Sequence, residues 1–178
     1  MASVITGKRV ILRSKRLEDA WDDYAWKCDP DLAKLDATSP LSIPFSIYYT
    51  SYSQDLRYEG DMDHRYAIDS LEGKHIGNCS CYNIDHMRGE AELGILIGDP
   101  DYWDKGYGSD AVITLVNHVF QERHMNRIYL HTLEDNLRAQ RCFEKCGFVA
   151  LRQVTKGMHR FILMEVEKSI ASPAASSR

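Results

Sequence analysis

The sequence predicts an α/β fold of the α+β kind, in which a run of antiparallel strands gives way to a β-α-β-α series. Three patterns carry that expectation. Residues 64–97 alternate apolar and polar positions in segments divided by the turn sequences Leu71-Glu72-Gly73-Lys74 and residues 85–89. Residues 109–123 place Ala111, Val112, Leu115, Val116, Val119 and Phe120 at helical intervals, a stripe broad enough to pack a whole helix on a sheet. Residues 127–133 then read as a strand and residues 136–146 as a helix, with Ala139, Cys142 and Phe143 inward and Gly147 placed to end it.

Taken in order, Val10-Ile11-Leu12-Arg13 forms a first short strand. Residues 16–26 set Leu17, Ala20, Trp21, Tyr24 and Ala25 at helical spacing, an amphipathic helix that ends before Pro30. The pattern weakens over residues 39–60, where Pro40, Pro44 and the aromatic cluster Phe45, Tyr48, Tyr49, Tyr52 and Tyr58 indicate a second helix interrupted by loops. Strands follow at residues 65–69, 75–84 and 91–97, and Gly94 inside the third points to a bulge or a closely approaching ligand. A last strand pair spans residues 149–154 and 161–166, joined at Lys156-Gly157. Residues 1–168 make one domain, and residues 169–178, rich in Ala and Ser, read as a disordered tail.

Composition narrows the function. A chain of 178 residues with 44% hydrophobic and 27% charged residues buries an ordinary core. Its 22 basic and 26 acidic residues leave a net charge of -4 with no basic block, so nucleic acid is not the expected ligand. No secretory signal pattern and no apolar run of bilayer length is present, so the expected location is cytoplasmic, with no membrane partner. Five cysteines make an odd count, and Cys79 and Cys81 alternate along a strand, so reduced, mostly buried thiols are expected. Seven scattered histidines form no metal-spaced pair, and no metal is expected.

The segment Tyr102-Trp103-Asp104-Lys105-Gly106-Tyr107-Gly108-Ser109-Asp110 lies between an apolar strand and the clearest helix. A strand that runs through a glycine-rich turn into a helix N-terminus holds a diphosphate well: glycines admit the ligand to the backbone, and free N–H groups with the helix dipole stabilise its charge. Lys105 adds a cation, although a tight turn or helix cap explains the glycines equally well. The Walker A spacing is absent. A dinucleotide fingerprint would open the first strand-helix unit of a parallel sheet, whereas antiparallel-looking strands precede this one.

Residues 91–98 through Tyr102-Trp103-Asp104-Lys105-Gly106-Tyr107-Gly108 resemble the central acetyl-CoA signature of the GNAT superfamily, Gln/Arg-x-x-Gly-x-Gly/Ala. Residues 136–148, from Asn136 to Gly147-Phe148, resemble the second signature, in which Asn begins a helix that ends in Gly-Phe. The resemblance extends more weakly over residues 8–167 and is closest to the RimJ/RimL-like and spermidine N-acetyltransferase branch. It implies a GNAT fold: a mixed, strongly twisted sheet flanked by helices and splayed between its fourth and fifth strands. It implies acetyl-CoA as acetyl donor, its pantetheine arm bonded by the backbone of Ile95, Leu96 and Ile97. The N–H groups of Trp103, Asp104, Lys105, Gly106, Tyr107, Gly108 and Ser109 would hold the diphosphate, with Asn136 on the pantetheine. Asn136 serves equally as a helix N-cap.

The resemblance further implies direct transfer to a primary amine in a ternary complex, with a strand N–H near Ile97 polarising the thioester carbonyl. Glu92 stands where histone-acetylating relatives place a general base, against the alternative of a solvated or substrate-anchoring carboxylate. Two positions depart from the pattern. Phe143 replaces the Tyr that commonly protonates the thiolate, leaving water, Tyr129, Tyr107 or Cys142 for that role, or none. Trp103 replaces Gln or Arg, a mark of the branch or an aromatic packed on the loop.

The acceptor is expected against residues 38–63, with Tyr48, Tyr49, Tyr52, Asp55, Glu59, Asp61 and Asp63 as wall residues for a cationic amine; packing of these aromatics is the plainer alternative. A polyamine, an aminoglycoside-like molecule and a protein N-terminus all remain open, and homodimers are common in such enzymes. A catalytically silent acyl-CoA-binding regulator is the alternative function, favoured by Phe143, and a nucleotide-binding module a weaker one.

Overall fold

The computed structural model describes residues 4–58, 64–122 and 125–168. Its elements are β1 (Ile5–Thr6), β2 (Val10–Ser14), α1 (Ala20–Cys28), α2 (Pro30–Leu35), α3 (Phe45–Asp55), β3 (His64–Ser70), β4 (His75–Asp85), β5 (Glu90–Ile97), α4 (Tyr107–Glu122), β6 (Arg127–Leu133), α5 (Leu137–Lys145), β7 (Val149–Lys156) and β8 (His159–Glu167). The strands form one sheet in the order β1-β2-β3-β4-β5-β6-β8-β7. Only β5 and β6 run parallel, and the helix between them makes the crossover that parallel strands require.

One face of the sheet is covered by α4. Its stripe residues Ala111, Val112, Leu115, Val116, Val119 and Phe120 are buried with Leu12, Ile68, Cys79, Cys81, Leu93 and Ile128 of the strands. Each such large side chain contributes about 1.5–3 kcal/mol by leaving water, so the α4 face anchors the fold. Cys79 and Cys81 are reduced, and burial pushes both thiols up, Cys81 to about 12.

The opposite face meets α1 through charge. Arg13 donates to both oxygens of Asp69 (2.6 and 2.9 Å) and both of Asp19 (2.8 Å each), while Lys15 and Asn78 bind Asp23. This corrects the expected apolar stripe of the first helix. Asp19, Ala20 and Asp23 turn inward, whereas Trp21 is 61% exposed and Leu17 and Ala25 also face solvent. Pairing of Asp19 and Asp23 with Arg13 and Lys15 sets the rotation of α1, and Trp21 instead lies beside Tyr24 and meets Phe45 of α3 edge-on.

Other elements fall close to expectation, with two additions. Helix α2 begins at Pro30 because Asp29 caps it, accepting from the N–H groups of Asp31 and Leu32. Pro30 thus both ends one helix and opens the next. The two-residue β1 pairs with β2 at the sheet edge. Gly147, at φ +93°, follows α5 in the left-handed conformation expected of a helix-ending glycine. The tail at residues 169–178 lies outside the described residues.

What positions the site is a defect in strand pairing. β5 and β6 pair only at Glu90 with Arg127, Ala91 with Ile128 and Glu92 with Tyr129. Beyond Glu92 they diverge, and the edge of residues 93–97 that would face β6 has no strand partner. This is the expected splay; the extra β1 makes its strands the fifth and sixth of this sheet.

Candidate active site

A cavity of about 630 Å³ opens in that wedge. Ile95, Leu96 and Ile97 form one wall, and Trp103, Asp104, Gly106, Gly108 and Ser109 the turn above it. Asn136, Arg138, Ala139, Arg141, Cys142, Phe143 and Lys145 line the α5 side, and Leu32 and Leu35 of α2, with Asp36 that follows it, complete the lining. The residues assigned to the donor from the sequence therefore converge, except Lys105 and Tyr107. Lys105 Nζ turns back to the Asp101 carbonyl (2.7 Å), and the Tyr107 ring packs edge-on against Tyr102.

The turn owes its shape to local chemistry. Asp99 caps a short helical turn at Pro100–Tyr102, and the chain then reverses through Asp104 and Gly106 at φ +56° and +84°. Gly106 adopts that conformation without strain, whereas Asp104 is a residue type that tolerates it. Trp103 fastens the turn to the strand end: its indole N–H donates to the Ile97 carbonyl at 2.7 Å, and the Arg138 guanidinium lies over its ring at 3.7 Å. Asn136 caps α5, its side chain accepting from the Ala139 N–H at 3.2 Å. Asn136 also borders the cavity.

Arg138, Arg141 and Lys145 recur along the cavity side of α5 and supply the cations that sequence analysis sought in Lys105. Their helical spacing opposite Phe143 was legible as an amphipathic pattern, but nothing in it named the face that meets the loop. Phe143 is 7% exposed and packs on Phe148, so it is core as well as cavity wall. Cys142 Sγ lies 3.3 Å from Ser109 Oγ. The Cys146 thiol, the Ser109 hydroxyl and the nearby Lys145 and Arg138 charges outweigh burial and bring Cys142 down to about 6. A thiol lowered in this way is a better nucleophile and less suited to donating a proton.

On the other sheet face, at the last β5–β6 rung, Glu92 is 7% exposed. Its Oε1 meets His131 Nδ1 at 2.7 Å and its Oε2 accepts from Asn83 Nδ2 at 2.9 Å. Burial, with the Glu92 charge adding to it, holds the phenols of Tyr82 and Tyr129 above their usual range; Asp36 contributes at Tyr82. Gly94 makes no bulge: a side chain there would press on the Tyr82 ring at 3.2 Å, so the glycine makes room for an aromatic of the chain itself.

The described residues of the expected acceptor wall do not line this cavity. Tyr48 and Tyr52 pack on each other and toward α1, with Tyr52 Oη reaching the Arg16 carbonyl, so packing accounts for them. Glu59, Asp61 and Asp63 lie outside the described residues. The cavity meets α2, which sequence analysis did not recognise as a helix.

A model of the acetyltransferase (GNAT) domain matches residues 9–149. The chain belongs to the GNAT acetyltransferase family. Among its relatives, the uncharacterized N-acetyltransferase p20 of Bacillus licheniformis is 28% identical over 159 residues, 87% of this chain and 89% of the relative. The spermidine N(1)-acetyltransferase of Vibrio cholerae is 26% identical over 87 residues, 49% of this chain and 50% of that one. In fold, the acetyltransferase resembles a Vibrio cholerae spermidine N-acetyltransferase solved with CoA and spermine, at TM-score 0.79 and 18% identity over 91% of this chain and 97% of that one. It also resembles the aminoglycoside acetyltransferase AAC(6')-Ib solved with coenzyme A, at TM-score 0.74 and 22% identity over 90% and 96% of the two chains. The protein is an acetyl-CoA-dependent acetyltransferase. Its cavity fits that donor: an unpaired strand edge suits the amides of pantetheine, and the α4 N-terminus with the α5 cations suits the phosphates. No described helix is long and apolar enough to cross a membrane.

Proposed function

We propose that this acetyltransferase moves the acetyl group of acetyl-CoA to the primary amine of a small polycationic molecule, of polyamine or aminoglycoside type. The observation that carries this reading is the charge polarity of the cavity. Arg138, Arg141 and Lys145 lie toward the turn, against the single carboxylate of Asp104. The α2 end carries Asp36, with Leu32 and Leu35 as apolar walls, and the buried Glu92 lies close enough to share the Tyr82 phenol's surroundings with it. An anionic donor and a cationic acceptor are thus drawn to opposite ends, and the reacting groups meet at the β5–β6 rung. Holding thioester and amine together in that wedge supplies the proximity component of catalysis, to which Phe143 is no obstacle. The backbone of Ile95, Leu96 and Ile97 would bind the pantetheine and polarise the carbonyl; Trp103, Asp104, Gly106, Gly108 and Ser109 would hold the diphosphate, with the main-chain N–H groups of Lys105 and Tyr107.

The test is thiol release from acetyl-CoA over spermidine, spermine, an aminoglycoside, a neutral primary amine and a peptide N-terminus. Polycations should be acetylated best, and Asp36→Asn should raise their KM about fivefold while leaving acetyl-CoA affinity unchanged. Equal use of the neutral amine, or turnover only on the peptide, would refute the reading.

A further inference from the structure

Glu92 has two donors on its two oxygens, and this limits what it can do alone. Asn83 Nδ2 occupies Oε2, and His131 occupies Oε1 at 2.7 Å. A carboxylate only accepts hydrogen bonds, so the ring nitrogen facing it, Nδ1, is the one that carries hydrogen. In the neutral ring the other nitrogen, Nε2, is then the acceptor. It has no hydrogen-bond partner among the described residues and is not sealed in the interior. The His131 side chain is 15% exposed against 9% for Glu92, so the more accessible of the two is the histidine.

The position of His131 follows from the sheet. The last parallel pair joins Glu92 to Tyr129. His131 comes two residues later on the same face of β6, past the last rung that joins this strand to β5 and beside the point where the cavity-lining residues 95–97 part from it. Tyr129 and Phe161 meet its ring edge-on at 6.0 and 6.4 Å and fix its plane, while Glu92 fixes its tautomer.

We infer that His131 Nε2 is the proton acceptor of this acetyltransferase and that Glu92 is a positioning residue which orients the ring and stabilises its charged form. This rests on the amine acetylation proposed above. The substrate ammonium passes one proton to Nε2, and the freed nitrogen lone pair forms the C–N bond at the thioester carbonyl. The C–S bond breaks with its electron pair on sulfur, and the second proton of the new ammonium nitrogen passes to that thiolate, giving the CoA thiol and the acetamide. His131 then returns its proton to water.

The decisive variant is His131→Asn, whose side-chain amide can still donate to Glu92 from about the place of Nδ1 but has nothing at Nε2. It should keep the melting temperature and acetyl-CoA affinity while kcat/KM for the amine falls about 10²–10⁴-fold and the acidic limb of its pH profile disappears. Glu92→Gln should retain that limb, because the accepting nitrogen is still present, and should lower kcat/KM less than His131→Asn does. Independently of turnover, two-bond ¹H–¹⁵N spectra of ¹⁵N-histidine protein should show hydrogen on Nδ1 of His131 above the limb, and a mixture of tautomers in Glu92→Gln. Full activity of His131→Asn, loss of the limb in Glu92→Gln alone, or hydrogen on Nε2 would each overturn the assignment. If the wild-type protein binds acetyl-CoA but acetylates no amine, the function itself fails; if it acetylates amines and His131→Asn does so equally well, only this inference fails.

Discussion

Replacing Arg13 by Met should cost this acetyltransferase more than any other single change outside its core. Arg13 is 7% exposed and donates four hydrogen bonds to Asp19 and Asp69, themselves 4% and 7% exposed. Met retains the aliphatic volume but abandons two buried carboxylates to each other. Breaking a buried ion pair from one side costs about 3–5 kcal/mol. For 178 residues at about 2.1 cal/mol/K each, the unfolding entropy converts this to a fall in Tm of about 8–13 °C. The pH dependence gives a second reading. Burial works to raise Asp19, but the Arg13 guanidinium and the Arg16 N–H win and hold it below its usual 3.8. A lowered carboxylate contributes stability that is full above 3.8 and is lost as pH falls through the folded value. In Arg13→Met the sign reverses: the stranded carboxylates are raised, so the deficit is largest near neutrality and shrinks on acidification to about pH 4. Thermal melts by circular dichroism at pH 4 and 7 measure both effects. A loss under 3 °C at pH 7, or a deficit that grows on acidification, would refute the reasoning. Because the cluster docks α1 and hence α2 beside the cavity, KM for the amine should rise more than the acetyl-CoA Kd.

Three further outcomes are expected. Trp103→Phe removes the indole donor to Ile97 and should raise the acetyl-CoA Kd about fivefold by calorimetry, the worth of one neutral hydrogen bond; an unchanged Kd would leave Trp103 as packing alone. Asn136→Ala deletes the α5 cap and should lower Tm by about 3 °C, with Asn136→Ser recovering most of it. Cys142 should be alkylated by iodoacetamide with a midpoint near pH 6, shifted upward in Cys146→Ala and blocked by acetyl-CoA, while Cys79 and Cys81 stay unreacted; a midpoint at 8 or above would contradict its ionised state.

The sequence by itself determined the sheet and its crossover, because period-two strands and the 109–123 stripe are local patterns that burial on α4 rewards directly. It also determined the donor loop, since glycines beside a helix start and a capping Asn write their backbone roles into residue type. What it left undetermined has a common physical origin in pairings between different elements. The inward face of α1 departs from its apolar stripe because Asp19 and Asp23 are buried by Arg13 of β2 and by Lys15 just after it, which no helical period records. Lys105 is next to the glycines in sequence, yet its ammonium turns to the Asp101 carbonyl while Arg138, Arg141 and Lys145 line the cavity, a placement that only the packing of α5 decides. That the cavity meets Leu32, Leu35 and Asp36 and not Tyr48, Tyr49, Tyr52 or Asp55 is decided by how α1 docks, which residue type does not record. Glu92 was singled out alone; that its carboxylate is shared with Asn83 and His131 was decided by the register of three strands.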